Sequence, residues 1–218
     1  NDEDLLRTLD SISNQSIKPH QIIIKDGIKR KKPKFLKNFS IKLDYFSSKD
    51  KGIYDAMNIG LDLATEDYIL FLNSGDMLNN SYSLSKIDSE ISAYYVLKKK
   101  SPDIIFFNWM HTNKKNIFSP SLIPFRFNHQ AVVYKIELHK KFGNYISQKE
   151  FINADYLFFR YVTLSKKVSK VFSKQILSTI NPNGKSSSLK TFLSVACIDY
   201  LFGLKSRSIL IGVAILHP

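Results

Sequence analysis

The chain holds a single cysteine, Cys197, in 218 residues, so no disulfide can close within it. Cys197 sits in an apolar stretch, which favours a packing role over a nucleophilic one. With no disulfide framework, the expected compartment is a reducing, cytoplasmic one. Long apolar runs are also missing. The longest candidates, 192–204 and 209–216, are separated by Lys205 and Arg207. Neither reaches the roughly 18 to 20 residues that a membrane-spanning helix requires. The chain opens on Asp2, Glu3 and Asp4, the opposite of the basic start of a secretory leader. Acidic residues are scarce: 19 stand against 32 Lys and Arg, a formal net charge of +13. That imbalance points to a negatively charged partner, whether nucleic acid, anionic membrane or phosphorylated ligand. The basic runs at 29–37 and 98–100 are the segments that would meet phosphates. A nucleic-acid module is nevertheless the second reading. No zinc spacing, helix-turn-helix or aromatic RNA-binding pattern accompanies those runs.

What is present suits a folded α/β protein. Hydrophobic residues make up 44% and aromatics 13%, enough for one good-sized core. Asn1 and the acidic residues after it form a helix start, and Leu5, Leu9 and Ile12 follow at helical spacing. Strands are expected at 21–24, 41–46, 68–72 and 103–109. Helices are expected from Gly52 to Ala64 and through Leu84, Ile87 and Ile91 to the lysines at 98–100. Such alternation predicts a largely parallel sheet covered by helices on both faces. Ligands bind such sheets at the carboxyl ends of the strands. Asp26 and Asp76 lie at two such ends. The stretch "YILFLNSGD" runs from a buried strand into a turn where Gly75 permits close backbone approach. A doubly wound sheet opens on a strand, so the expectation is that a first strand of about five to six residues is missing before Asn1.

Several segments, in order, resemble family 2 glycosyltransferases of the GT-A fold. "HQIIIKDG" is similar to the family's second strand. "SSKDKGIYDAMNIGLDLATEDYILFLNSGD" is similar to the helix and metal-site strand of enzymes of bacterial colanic-acid, capsule and lipopolysaccharide assembly. "FNHQAVVYK" resembles the His-Gln strand of the acceptor half, "NADYLFFRY" the turn carrying the catalytic base, and "INPNGKSSS" a closing segment. The resemblance implies a mixed, mostly parallel GT-A sheet flanked by helices. It divides residues 1–185 into a nucleotide-sugar half, 1–110, and an acceptor half, 111–185, followed by an apolar helical tail, 186–218.

The implied activity is inverting transfer of a sugar from a nucleotide-diphosphate donor, with UDP the expected nucleotide, to an acceptor hydroxyl. The acceptor would be a glycan or a lipid-linked molecule. Asp155 matches the base, which must take the hydroxyl proton. Asp76 matches the metal position, for Mg²⁺ or Mn²⁺ beside the diphosphate. Many members carry two acids at that turn, whereas this chain reads Asn73-Ser74-Gly75-Asp76 and keeps one. Asp26 and Gly27 match the nucleotide-base contact. Lys51, Asp55 and Asn58 match the nucleotide edge, and His129 and Gln130 match diphosphate or acceptor contacts. Asp50 and Asp55 are equally placed to cap the helix that follows them. Asp155 is itself placed as a helix cap, a role compatible with that of a base. The lost acid leaves an inactive relative as a further alternative. The tail after 188 reads equally as a helix packed on the domain or as an interfacial helix on the inner membrane leaflet, with Lys190, Lys205 and Arg207 toward anionic headgroups.

Overall fold

The computed structural model describes residues 1–123, 125–148, 151–182 and 189–203. Within it, α1 (Asp2–Ser13) is capped by the Asn1 side chain, which accepts from the Glu3 N–H. Strand β1 (Ile23–Asp26) pairs in parallel with β2 (Asp44–Ser47), and the basic run between them includes a 3₁₀ turn, Lys34–Asn38. Helix α2 (Ile53–Leu63) leads to β3 (Tyr68–Ile69), β4 (Met77–Leu78) and α3 (Ser83–Lys98). The second half holds β5 (Ile104–His111), β6 (Lys114–Phe118), β7 (Ser121–Leu122), β8 (Phe125–Arg126), β9 (Val132–Lys135), α4 (Glu137–Phe142), α5 (Ala154–Leu164), β10 (Lys170–Ile180) and α6 (Leu189–Leu201).

The main sheet is mixed, in the order β3-β9-β5-β10-β4, with β6 paired to β5. Strands β3, β5 and β10 run one way, and β9 and β4 run antiparallel to their neighbours. Side chains alternate along β5. Ile104 and Phe106 enter the core under α2 and α5, while Ile105, Phe107 and Trp109 enter the core on the opposite face. All five are buried, which is why this strand reads as a continuous apolar run.

Strand β3 is shorter than the 68–72 expected. One of its edges pairs with β9, and among the described residues nothing pairs with the other. Beyond that free edge lies a cavity of about 690 Å³. Its walls include Ile22 to Lys25 from β1, Tyr68 to Leu72, Met57 and Gly60 of α2, and Leu5, Leu9 and Ile12 of α1. The cavity thus lies between the unpaired edges of β1 and β3.

The tail helix α6 packs on the domain. Ala196, Ile198 and Asp199 are buried, and Asp199 Oδ1 accepts from the Tyr156 hydroxyl at 2.8 Å. Cys197, expected in the core, is exposed, because Ala196 and Ile198 take the packed side of that helix. Lys205 and Arg207 lie outside the described residues, as do 183–188 of the closing segment. Among the described residues, no helix is long and apolar enough to cross a membrane.

Candidate active site

Three short polar elements meet near the carboxyl end of β5: the turn after β3, the start of α5, and a 3₁₀ turn, His129–Ala131, which leads into β9. Asn128 caps the 3₁₀ turn by accepting from the Gln130 N–H at 3.0 Å. The turn sends two adjacent side chains to two different acids. His129 Nδ1 lies 3.0 Å from Asp155 Oδ2, and Gln130 Nε2 donates to Asp76 Oδ2 at 2.6 Å. Asp76 and Asp155, 79 positions apart in the numbering, are therefore tied through consecutive residues.

Asp155 sits in the first turn of α5, and its other oxygen, Oδ1, accepts from the Tyr54 hydroxyl at 2.6 Å. Tyr54 comes from the first turn of α2, so the two helix starts face each other across the carboxylate. Burial pushes the Asp155 carboxyl up, but the His129 and Tyr54 hydrogen bonds more than offset this, and its pKa lies below the ordinary carboxylate value. The same carboxylate and burial raise the Tyr54 phenol, keeping it a neutral donor. His129 Nε2 is buried with no protein partner. Neither Tyr54 nor its contact stood out in the sequence, where it read only as part of a helix motif.

The turn around Asp76 is held by Thr8 of α1. Its Oγ accepts from the Gly75 N–H at 2.9 Å and lies 2.8 Å from the Asp76 carbonyl. Gly75 has φ of 100°, a conformation that only glycine adopts without strain, and Asp4 packs where a side chain would stand. Asp76 is 4% exposed. Burial raises its pKa, opposed by bonds from the Asn181 N–H and Gln130. Both of its oxygens are engaged, Oδ1 by Asn181 N at 2.7 Å and Oδ2 by Gln130. Each Asp76 oxygen accepts one hydrogen bond, which leaves a lone pair on each for a divalent ion. Among the described residues no group of three His, Cys, Asp or Glu side chains is arranged to hold an ion, so Asp76 would be a single protein ligand to an ion held otherwise by phosphate oxygens of the donor.

The remaining candidate residues lie between the end of β1 and the turn after β3. Asp26, at the end of β1, accepts from Arg30 Nε at 2.6 Å, Tyr45 Oη at 2.9 Å and the Ile28 N–H at 3.1 Å. Burial would raise its pKa, but these bonds, led by Arg30, lower it. Gly27 lies against Asp50, whose carboxylate would occupy the space of any side chain there. Asp50 accepts from the Gly52 N–H and pairs with Lys25, and Asp55 accepts from the Lys51 N–H. Both therefore hold the loop that leads into α2, while the N-cap residue of the helix, Gly52, has no side-chain cap. Asn58 exchanges two hydrogen bonds with the Tyr145 backbone, so it braces the loop after α4. Ser74 is exposed beside Asn73.

Comparison with known proteins bears on the family and the fold. The family model for glycosyl transferase family 2 matches residues 1–159. PGL/p-HBAD biosynthesis glycosyltransferases of Mycobacterium tuberculosis and Mycobacterium bovis are 29% identical over 148 residues, covering 63% of this chain and 56% of theirs. The chain thus spans little more than half the length of those curated relatives. Among solved structures, S. aureus TarS 1-349 in complex with UDP superposes with a TM-score of 0.65 at 15% identity, covering 94% of this chain and 63% of that one. The mannosyltransferase PcManGT from Pyrobaculum calidifontis, in complex with GDP-Man and Mn²⁺, gives 0.63 at 10% identity, covering 95% and 62%. These likenesses establish the GT-A fold. With its family match running from α1 through most of α5, the chain belongs to glycosyl transferase family 2.

Proposed function

We propose that this chain is an inverting glycosyltransferase. It moves a sugar from a nucleotide diphosphate to an acceptor hydroxyl, with Asp155 as the general base. The observation that carries the reading is the clamp on Asp155. Two donors from different elements, Tyr54 Oη and His129 Nδ1, fix the carboxylate and keep it ionised. In the reaction the acceptor oxygen bonds to the anomeric carbon from the face opposite the diphosphate. The bond from that carbon to the phosphate oxygen breaks, and the hydroxyl proton passes to Asp155. The nucleotide end lies toward Asp26, Gly27 and Lys51. Negative charge growing on the diphosphate faces the uncapped start of α2, whose backbone dipole favours anions.

S. aureus TarS has been solved with UDP and with UDP-GlcNAc, which supports a UDP-sugar as the donor here. PcManGT has been solved with GDP-Man and Mn²⁺, which supports a divalent ion held at Asp76 here. The acceptor we propose is a glycan or lipid-linked molecule of bacterial surface-polysaccharide assembly. The test is release of nucleotide from a panel of nucleotide sugars, with and without added Mn²⁺. Parent protein is compared with Asp155→Asn and Asp76→Ala. The expected result is turnover in the parent and loss in Asp155→Asn. Equal turnover in parent and Asp155→Asn overturns the assignment of the base. No turnover with any donor supports an inactive relative instead.

A further inference from the structure

One cluster of lysines gathers at the amino-terminal ends of β5 and β10, away from the candidate active site. Strands β5 and β10 are parallel neighbours, with Lys170 in register with Ile104. The turns that precede them are tied together. The Asp103 N–H donates to the Ser169 carbonyl at 3.2 Å, and both the Ser169 N–H and hydroxyl donate to Asp103 Oδ2 at 2.8 Å. That pairing brings Lys98, Lys99 and Lys100, at the end of α3, beside Lys166 and Lys167, at the end of α5. All five are exposed. Of the acids on these elements, Asp103 is already bound by Lys135 at 3.2 Å and by Ser169, and Glu90 of α3 accepts from the Ser173 hydroxyl.

Exposed apolar side chains stand among these lysines. Val96 is 67% exposed and Leu97 77%, with Tyr95 beside them. Leu164, just before Lys166, is exposed as well. Lys99 closes α3 in the left-handed conformation, its N–H donating to the Tyr95 carbonyl, so the chain turns immediately after this apolar step. A solvated charged face needs no such residues. Lysines around protruding aliphatic and aromatic side chains match a surface that is anionic outside and apolar beneath.

We infer that this pole, formed by the ends of α3 and α5, docks on an anionic lipid bilayer. The charge is complementary, and Tyr95, Val96, Leu97 and Leu164 enter the headgroup boundary. The His129–Ala131 turn leads into β9, whose Val132 is in register with Phe106, so it lies toward the carboxyl half of β5 and away from the Ile104 end. Docking therefore leaves the cleft clear of the lipid. The inference concerns a different surface from the proposed site and does not depend on sugar transfer.

The test is co-sedimentation of the full chain with vesicles of phosphatidylcholine and phosphatidylglycerol, and with phosphatidylcholine alone, at low salt. Basic residues near such a surface contribute about 1 kcal/mol, or roughly fivefold, each. The variant Lys98→Gln/Lys100→Gln/Lys166→Gln/Lys167→Gln is therefore expected to lose at least about tenfold in binding to the anionic vesicles. Val96→Ser/Leu97→Ser is expected to remove the part of binding that survives high salt. A matched control, Lys29→Gln/Lys31→Gln/Lys32→Gln/Lys34→Gln, removes the same charge from the other end of the chain and is expected to bind as the parent does. All of these side chains are exposed, and circular dichroism checks that the variants fold. Equal loss in the control overturns the inference, as does unchanged binding in the pole variant. Loss confined to Lys205→Gln/Arg207→Gln assigns membrane contact to the tail instead. Binding of an RNA oligomer that disappears in the pole variant, with vesicle binding intact, identifies a nucleic-acid surface and also overturns it.

Discussion

The two halves of the molecule place their functional residues by different means. In the acceptor half, Tyr134, Phe159 and Val162 are essentially without solvent exposure, and the two rings interlock. Phe159 meets Tyr134 at 5.1 Å and 85°, and His139 stacks on Phe158 at 4.1 Å. Burial lowers the His139 pKa to about 4, so this ring stays neutral and joins the core. Helix α5, which carries Asp155, rests on that packing. In the donor half, β1 and β2 form a separate two-stranded sheet, and the cavity of about 690 Å³ lies beside them. There, Asp26, Asp50 and Asp55 are held by hydrogen bonds within the turns after β1 and before α2, with Tyr45 reaching Asp26 from β2 and Lys25 reaching Asp50 from β1. The proposed base is thus positioned by a core and the proposed donor contacts largely by turns. A base needs fixed geometry, whereas a nucleotide pocket tolerates adjustment as it fills.

Activity separates the halves most sharply. Asp155→Asn retains the shape of the clamp but removes the base, and is expected to lower kcat by about 10²- to 10⁴-fold. Asp26→Asn is expected to act mainly on KM, because Asp26 lies among turn residues away from the reacting atoms. Steady-state kinetics with a saturable donor check both. A large kcat loss from Asp26→Asn with little loss from Asp155→Asn would reverse the comparison.

Stability separates them next. Phe159→Ala opens a hole in a fully packed region and is expected to cost about 3–5 kcal/mol. Met57→Ala removes a buried side chain that already borders the cavity, and is expected to cost about 2 kcal/mol, the low end for such a change. Urea denaturation measures the two. Equal losses would mean that the donor half is packed as tightly as the acceptor half.

The same contrast explains what could be read from the sequence. Helices α1, α2 and α3 and strand β5 were legible because their apolar spacing is set by faces that pack in this structure. Strand β3 was drawn too long, because Leu70 to Leu72 carry a strand's composition but, among the described residues, no strand pairs with that edge. Asp155, His129, Gln130 and Asp76 were legible as motif residues, but their connections were not. That Gln130 would occupy Asp76, and Tyr54 would occupy Asp155, depends on where the 3₁₀ turn and the α2 start meet in space. No local spacing encodes such contacts. The role of Thr8 as the holder of the Gly75 turn was invisible for the same reason, since it acts across 67 positions.

Tyr54→Phe tests how the packed half sets the base. It removes one donor from the Asp155 carboxylate, so the lowered pKa must move back upward. A base works when ionised, so in the parent the acid limb of kcat/KM lies below the ordinary carboxylate pKa, and in Tyr54→Phe it shifts to higher pH. The stability linkage has the same origin. A lowered carboxylate pKa stabilises the fold above the unfolded value, and this contribution is lost as pH falls through the folded one. The Asp155 contribution therefore shrinks in the variant, with a loss of about 1–3 kcal/mol at neutral pH. Asp76 works in the opposite sense, because its raised pKa favours the fold at low pH. A pH–rate profile that does not move would show that His129 alone holds Asp155 ionised.

The smallest expected effect is a gain, and it belongs to the donor half alone. Gly60 lies inside α2 and lines the cavity. A methyl group added there would meet only the Phe71 ring, at 3.6 Å, an ordinary contact distance. Gly60→Ala removes the entropic weakness of glycine in a helix and puts apolar surface into empty space, so it is expected to stabilise the protein by about 0.5–1 kcal/mol. Ala154, at the start of α5, is 2% exposed and packed among aromatic side chains, so enlarging it to Val is expected to destabilise by about 1–3 kcal/mol through overpacking. The sign of the change, read from paired melting curves, distinguishes a region with room from one without. A loss in Gly60→Ala would mean that Phe71 cannot yield and that the α2 wall is as rigid as the α5 wall.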